Sequence, residues 1–237
     1  MIQKILRKIV SQETIDRYFT IYSMFIKNTK RSAYRKCGEH TQLWGPIHSV
    51  PDFVELDDWT RLQGDTRVTS AGGILRVKKF SAISAGCIFV PGGHIPTVGL
   101  PQFLSFTHIN DTKSIVTIEE DVWVGSRCTF LEKAHVGRGA VIGANSLVNK
   151  EIPPYAVVVG SPARVIAVRF TLEQILRHEQ ILYPPEERLS RDYLQELFST
   201  EYQGLRTIGV SDMSAEDAGL LAEAKKKYGI PNYDECK

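Results

Sequence analysis

Histidine and cysteine are the residue types in this sequence best suited to acid–base, nucleophilic or metal chemistry. The 237 residues include six histidines and four cysteines. His94 directly precedes an irregular segment, and His108 lies inside that segment. Imidazole is the side chain best matched to proton transfer near neutral pH, so His94 is the first candidate for a general base. The alternative is a turn histidine with no chemical role.

Metal and thiol chemistry are the competing uses of these residues. A zinc site needs three converging ligands, two of them close in sequence. His94, His108 and His135 lack that spacing, so we predict no metal. Cys87 and Cys128 occupy small positions of the repeat described below. We expect them to be buried, reduced thiols rather than nucleophiles, because no neighbouring base is evident.

Composition excludes several classes of protein. Lys and Arg number 29 against 27 Asp and Glu, which gives a net charge of +2 and no electrostatic case for nucleic acid. The apolar fraction of 43% argues against disorder. Near the start, the apolar run 18–26 is too short to span a bilayer, and no signal peptide is expected. The four scattered cysteines do not make a disulfide scaffold.

A six-residue period is the strongest pattern in the chain. The residue four places after each apolar position is small or β-branched. A weaker copy of the period begins upstream at Leu56. The apolar positions are Ile118, Val124, Phe130, Val136, Ile142 and Val148, and the small ones are Val122, Cys128, Ala134, Ala140 and Ser146.

This period matches neither a helix nor a single strand, but it fits short strands joined by turns. Three such sides close a triangular coil of 18 residues, and coils stack about 4.8 Å apart through parallel strand pairing. Glycines such as Gly125, Gly137 and Gly143 are expected at turns with positive φ. The period is lost in an insert at 95–114, and a long irregular loop in a regular solenoid is usually functional. The alternative is a loop that covers strand edges.

The two ends of the chain have other patterns. We divide the chain into an N-terminal helix and irregular leader (1–55), a β-helix domain (56–168) and a C-terminal helical cap and tail (169–237). Residues 2–26 have helical spacing and basic flanks, so they either pack on the protein's own assembly or contact a membrane surface. Cap helices are predicted from Leu172 to the prolines at 184–185, over about 186–198, and from Ser214 to Gly229.

Several motifs in the repeat resemble a known family. The elements VWVGS, GANSLVNKEIPPY and GSPARVI, together with VKKFSAISAGCIFVPGGH and a loop that contains LPQF, closely resemble the hexapeptide-repeat acyltransferases. They are most similar to the branch of xenobiotic and sugar O-acetyltransferases, over roughly residues 56–190. The resemblance implies a left-handed parallel β-helix with a protruding loop and helical extensions. It also implies acetyl-CoA as co-substrate and a homotrimer with each active site between two subunits.

The resemblance also assigns roles to residues. His94 matches the catalytic histidine, and Phe103, Phe106 and His108 fall in the loop that contacts the acceptor. The sequence Gly93–Thr97 departs from the family pattern, so the group that orients the imidazole stays open between a backbone carbonyl and a carboxylate. Asn replaces the usual Thr at position 149. The residues that match the acetyl-CoA site are Trp123, Gly125, Ser126, Gly143, Ala144, Asn149, Lys150 and Arg164.

The resulting hypothesis is an acetyl-CoA-dependent O-acetyltransferase with a saccharide acceptor. It would act in surface-polysaccharide biosynthesis, in the cytoplasm or at the inner membrane surface. The alternatives are an antibiotic O-acetyltransferase of the chloramphenicol or streptogramin type, a sugar-nucleotide N-acetyltransferase, and a trimeric scaffold without activity. The last would not bind CoA.

Overall fold

The computed structural model describes residues 30–69 and 72–234, together with Ser11, Thr14, Arg17 and Tyr18. Apart from those four residues, the helix predicted over 2–26 lies outside the described part of the chain. Its predicted packing or membrane contact therefore stays a prediction. No helix among the described residues is long and apolar enough to cross a membrane.

Short parallel strands form about six coils. The first coil contains β1 (Lys36–Cys37), β2 (Gln42–Trp44) and β3 (Ile47–His48), the second β4 (Val54–Leu56), β5 (Arg61–Gln63) and β6 (Thr66–Val68), and the third β7 (Ile74–Val77), β8 (Ala82–Ile83) and β9 (Ile88–Phe89). A hairpin of β10 (Gly92–His94) and β11 (Asp111–Lys113) follows. The fourth coil contains β12 (Ile115–Ile118), β13 (Trp123–Val124) and β14 (Thr129–Phe130), the fifth β15 (His135–Val136), β16 (Val141–Ile142) and β17 (Leu147–Val148), and the sixth β18 (Glu151–Ile152) and β19 (Ala156–Val159), against which β20 (Arg164–Val168) lies antiparallel.

Corresponding strands of successive coils pair in register and make three sheets, or faces. The first face begins with β1, the second with β2 and the third with β3. Ile118 pairs with Val136, Val124 with Ile142 and Phe130 with Val148, each eighteen residues apart. The predicted β-helix and its 18-residue coil are confirmed.

The turns between the faces are called corners. The second corner lies between the second and third faces. The third corner lies where the chain leaves the third face for the next coil.

The six-residue apolar positions point into the core, as predicted, because each is at most 1% exposed. The small positions are buried too, and Cys87 and Cys128 are free thiols inside the core. Phe89 and Phe130 stack between adjacent coils with ring centroids 4.8 Å apart. Dry side-chain packing along the whole stack holds one coil on the next.

Gly86 and Gly139 of the repeat have the predicted positive φ, but Gly125, Gly137 and Gly143 do not. Left-handed φ values recur at Asp121, Arg127 and Lys133 rather than at Gly125 or Gly137. Instead, a Cβ at Gly125 would lie 2.6 Å from the Ala144 nitrogen, and one at Gly137 would lie 2.6 Å from the Pro154 nitrogen. These glycines are needed because the backbone of the next coil passes too close for any side chain.

The β-helix begins earlier than the predicted boundary at residue 56. Strands β1 to β3 pair with β4 to β6 and form a complete coil within the predicted irregular leader. Residues 36–55 therefore belong to the solenoid. The hexapeptide pattern is weak there because successive strands lie 19 rather than 18 residues apart, as Cys37 does from Leu56.

Three helices follow the last coil. Helix α1 (Leu172–Leu182) begins at the predicted residue, and Thr171 caps it in a reciprocal capping box with Gln174. Helix α2 (Arg191–Thr200) begins later than the predicted start at 186 because a 3₁₀ turn occupies Pro185–Glu187. Helix α3 (Ala215–Tyr228) ends at Gly229, which has φ 62°.

A buried ion pair joins α1 to the coils. Glu179 is buried, accepts a 2.9 Å hydrogen bond from Arg138 and a 2.6 Å bond from the Tyr155 hydroxyl. Burial and then the charge of Glu179 raise the pKa of Tyr155 well above its ordinary value. The tyrosine is therefore a neutral donor at neutral pH. Glu179, Arg138 and the Tyr155 hydroxyl each have a hydrogen-bonding partner. Helix α1 therefore covers the end of the solenoid without burying an unpaired charge.

The close approach of the coils gives a direct test. Gly137→Ala places a methyl group against backbone atoms that cannot rotate away, so we expect a loss of about 1–3 kcal/mol and a fall in Tm of roughly 2–12 °C. Thermal unfolding of Gly219→Ala is the matched control. Gly219 lies in exposed helix α3 with nothing within 4 Å, so its Tm should stay the same or rise slightly. Equal Tm values for Gly137→Ala and the wild type would contradict the packing role.

Candidate functional site

The insert leaves and re-enters the solenoid through the β10–β11 hairpin at the third corner. The two strands are antiparallel, and Gly92, Gly93 and His94 lie opposite Lys113, Thr112 and Asp111. The backbone nitrogen of Gly93 donates to the Thr112 hydroxyl at 2.9 Å. Directly opposed residues place their side chains on the same side of a hairpin. This pairing brings His94 and Asp111 together although seventeen residues separate them.

Asp111 binds two imidazole rings. His94 Nδ1 lies 2.5 Å from Asp111 Oδ1, and His108 Nδ1 lies 2.7 Å from Asp111 Oδ2. The Asp111 side chain is only 4% exposed, whereas those of His94 and His108 are 40% and 64% exposed. The carboxylate is therefore enclosed while both rings reach the surface. The carboxylate, rather than a backbone carbonyl, is the group that orients His94.

The ionisation of Asp111 sets the tautomer of His94. Burial would raise the pKa of Asp111, but the hydrogen bonds and charges of the two histidines outweigh it and hold the pKa below its ordinary value. The carboxylate is therefore ionised at neutral pH and can only accept hydrogen bonds. Neutral His94 must then carry its proton on Nδ1 and expose a lone pair on Nε2. This is the arrangement of a general base.

The rest of the insert presents apolar side chains. Phe103 and Phe106 lie in a 3₁₀ helix (Gln102–Thr107), with their rings edge to face at 5.8 Å, and Phe103 is 83% exposed. Ile95, Val98 and Ile109 are exposed as well. The predicted acceptor-contact residues Phe103, Phe106 and His108 thus share one loop with His94 at its base. An exposed apolar group of this kind is typical of a binding or assembly surface.

Most residues predicted to bind acetyl-CoA lie elsewhere on the coil. Trp123 is 56% exposed on the second face, and Ser126 and Ala144 are exposed at the second corner. Gly125 and Gly143 lie at the same corner, where their nitrogens donate to Ile142 and Val158 of the next coil. Those two backbone donors are thus used by the solenoid. The surface left for a ligand is formed by Trp123, Ser126 and Ala144.

The remaining predicted contacts follow the course of the chain. Asn149 and Lys150 are exposed at the third corner, two coils beyond the hairpin. Arg164 is exposed at the start of β20, and its guanidinium donates to the Ala163 carbonyl at 3.0 Å. Lys150 lines a cavity of about 320 Å³ with Tyr193 of α2. A single copy therefore places His94 at one corner and the Trp123 surface at another.

Asp111 is the residue of the candidate site that the sequence did not reveal. The only indication in the sequence was that the repeat resumes in register after the insert. The two ends of the insert must therefore meet at one corner. Val77 pairs with Ile118 across the interruption. Within the described part of the chain, no group of three or more His, Cys, Asp or Glu side chains is arranged to hold a metal ion.

Comparison with known proteins identifies the repeat. The family model described as "Bacterial transferase hexapeptide (six repeats)" matches residues 115–150. The chain is 43% identical over 75 residues to chloramphenicol acetyltransferase of Klebsiella aerogenes, a match that covers 32% of this chain and 36% of that protein. It is 41% identical over 117 residues to a probable macrolide acetyltransferase of Lysinibacillus sphaericus, covering 44% and 65%. The chain thus spans about one third to two thirds of these relatives.

Solved structures agree on the fold. A hexapeptide-repeat acetyltransferase of Vibrio cholerae O1 biovar eltor, solved with acetyl coenzyme A, aligns with a TM-score of 0.55 at 20% identity, covering 65% of this chain and 84% of that one. Residues 115–150 are therefore a bacterial transferase hexapeptide repeat, and the coils around them have the left-handed β-helix fold of the hexapeptide-repeat acetyltransferases.

Proposed function

We propose that this protein is an acetyl-CoA-dependent O-acetyltransferase in which His94 is the general base. The observation that carries the proposal is the His94–Asp111 pair, because it fixes a basic Nε2 at the surface beside an apolar loop. The identity to chloramphenicol and macrolide acetyltransferases supports acetyl transfer as the reaction. Both names describe acetyl transfer.

The reaction needs one proton to move twice. His94 Nε2 takes the proton of the acceptor hydroxyl as its oxygen attacks the thioester carbonyl of acetyl-CoA. The tetrahedral intermediate then collapses, the carbon–sulfur bond breaks, and the imidazolium returns the proton to the CoA sulfur. Asp111 stabilises the imidazolium between the two steps, as an ionised carboxylate on Nδ1 does in other His–Asp pairs. The acetyl group passes directly to the acceptor, with no acyl-enzyme.

Acetyl-CoA is proposed to lie along the second corner. Trp123 and Ser126 would contact the pantetheine arm beside the turn of Gly125, Gly143 and Ala144. Asn149 and Lys150 at the third corner, and Arg164 at the start of β20, would face the nucleotide, since the phosphates favour basic side chains. The exposure of Lys150 and Arg164 supports this role.

We further propose a homotrimer whose active sites lie between neighbouring subunits. In one copy the base is at the third corner, whereas Trp123 and Ala144 lie on the second face and corner. A neighbour that packs its third corner against this second corner would complete the site. The exposed apolar residues of the insert supply a surface for such contact.

The acceptor is proposed to be a saccharide hydroxyl of a surface polysaccharide or its precursor. Phe103 and Phe106 offer exposed aromatic faces for a sugar ring. The free thiols of Cys87 and Cys128 support a reducing, cytoplasmic location. The second candidate is an antibiotic hydroxyl, which the identity to chloramphenicol and macrolide acetyltransferases favours. A screen of saccharides, chloramphenicol and macrolides for CoA release separates the two.

Removal of the base tests the proposed reaction. His94→Ala should lower kcat by about a hundredfold or more while acetyl-CoA still binds, because only proton removal is lost. CoA thiol release and calorimetric acetyl-CoA binding measure the two effects. His135→Ala is the matched control, since His135 is a half-exposed histidine on the first face that pairs with Glu119. Near-normal turnover of His94→Ala would refute the assignment.

Co-assembly tests the shared site. His94→Ala lacks the base, and Ala144→Trp fills the proposed CoA channel, so each should be inactive alone. In randomly mixed trimers, about a quarter of the sites would combine an intact His94 with an intact channel from the neighbour. Turnover should therefore return to about a quarter of the wild-type value after co-refolding. No recovery in a verified mixed trimer would show that one subunit supplies both parts.

A further inference from the structure

We propose that the acceptor is a diol or amino alcohol, and that His108 binds the donor group next to the hydroxyl that His94 deprotonates. This inference rests on the proposed function and narrows its substrate class. It assigns His108 a role in specificity that the transfer of the acetyl group does not itself require.

One carboxylate binds both imidazole rings. Each oxygen of Asp111 takes one imidazole through Nδ1, and the ring centroids of His94 and His108 lie 6.4 Å apart with a tilt of 31°. An ionised carboxylate has no proton to donate, so both Nδ1 atoms must be donors. The same electrostatic requirement that makes His94 a base therefore leaves His108 with an acceptor Nε2 when its ring is neutral.

Nε2 of His94 and Nε2 of His108 are both available to a substrate. Within residues 30–69 and 72–234, no protein group is hydrogen-bonded to Nε2 of His94 or of His108. Both Nδ1 atoms face the enclosed Asp111, so the exposed part of each ring is its opposite edge. Two lone pairs are thus available side by side at the base of the insert, on rings whose centroids lie 6.4 Å apart.

The backbone around His108 fixes the position of its side chain. His108 ends the 3₁₀ helix in the left-handed region with φ 58°, and its nitrogen bonds to the Ser105 carbonyl. Asn110 is also left-handed, and its side chain donates to the Thr97 hydroxyl at 2.6 Å. Such conformations are uncommon for residues other than glycine and cluster at ligand sites. Hydrogen bonds on both sides of His108 fix where its ring stands.

The chemistry then defines the substrate class. One hydroxyl donates to His94 Nε2, loses its proton and attacks acetyl-CoA, while a neighbouring hydroxyl or amine donates to His108 Nε2 and stays intact. Rings 6.4 Å apart suit donors on adjacent or next-adjacent carbons. A substrate with one hydroxyl would not make the hydrogen bond to His108, which disfavours it relative to a diol. Saccharides carry such paired hydroxyls around the ring.

The test removes the neighbouring hydroxyl of the substrate and its proposed partner His108, first one at a time and then together. The probes are methyl glucopyranoside and its monodeoxy derivatives, with chloramphenicol as a 1,3-diol and its 1-deoxy analogue, which keeps the primary hydroxyl and lacks the neighbouring one. His108→Asn is the variant because Asn tolerates left-handed φ but is too short to hold both Asp111 and a substrate. His135→Ala is the control.

We expect the wild type to prefer each accepted diol over the analogue without the neighbouring hydroxyl by about tenfold or more in kcat/KM. His108→Asn should lose about ten times more kcat/KM on the diol than on the deoxy analogue, because any loss through weaker support of Asp111 is common to both substrates. An equal loss on both substrates would mean a merely structural role and would overturn the proposal. Equal wild-type rates on both substrates would also overturn it.

A second measurement needs no turnover. In the protein labelled with ¹⁵N-histidine, at a pH where both rings are neutral, NMR should show His94 and His108 protonated on Nδ1. Protonation of His108 on Nε2 would overturn the inference even in an active enzyme. CoA release absent with every acceptor would instead count against the proposed function, so the two failures are distinguishable.

Discussion

The register of the stacked coils is the constraint on which the rest of this structure depends. Each side of a coil buries one apolar residue, and each strand pairs with the strand eighteen residues away in the regular part. A slip of one residue would turn that apolar set to solvent. An insert can therefore enter the solenoid only if it leaves and returns at one corner. Its two ends then pair as a hairpin, and the hairpin brings His94 to Asp111.

Energetically, the site depends on a carboxylate that the hairpin encloses. Burial of a charge is costly unless hydrogen bonds satisfy it. Asp111 has two donors, His94 and His108, and they keep its pKa below the ordinary value in spite of burial. The enclosed charge in turn fixes both rings. Orientation of the base and stabilisation of the carboxylate are thus one interaction, built on paired strands rather than on a free loop.

Sequence reasoning succeeded where local pattern decides structure. The six-residue period predicted the coils and their core, and the pattern from Leu172 to the prolines at 184–185 predicted α1. Asp111 was missed because its contact with His94 depends on where a twenty-residue insert returns, which no local pattern states. The turn glycines were misjudged for a related reason. The sequence shows that glycine recurs at the position of Gly137 in the repeat. Only the stacked coils show that Pro154 leaves no room for a side chain there.

The most direct test of this account is turnover of Asp111→Asn. An amide has nearly the shape of the carboxylate, but it carries no charge and can donate as well as accept, so His94 loses the partner that fixes its tautomer. The account predicts that kcat for CoA release falls by about a hundredfold or more while KM for acetyl-CoA stays the same. A kcat close to that of the wild type would contradict the claim that the enclosed carboxylate makes His94 a base.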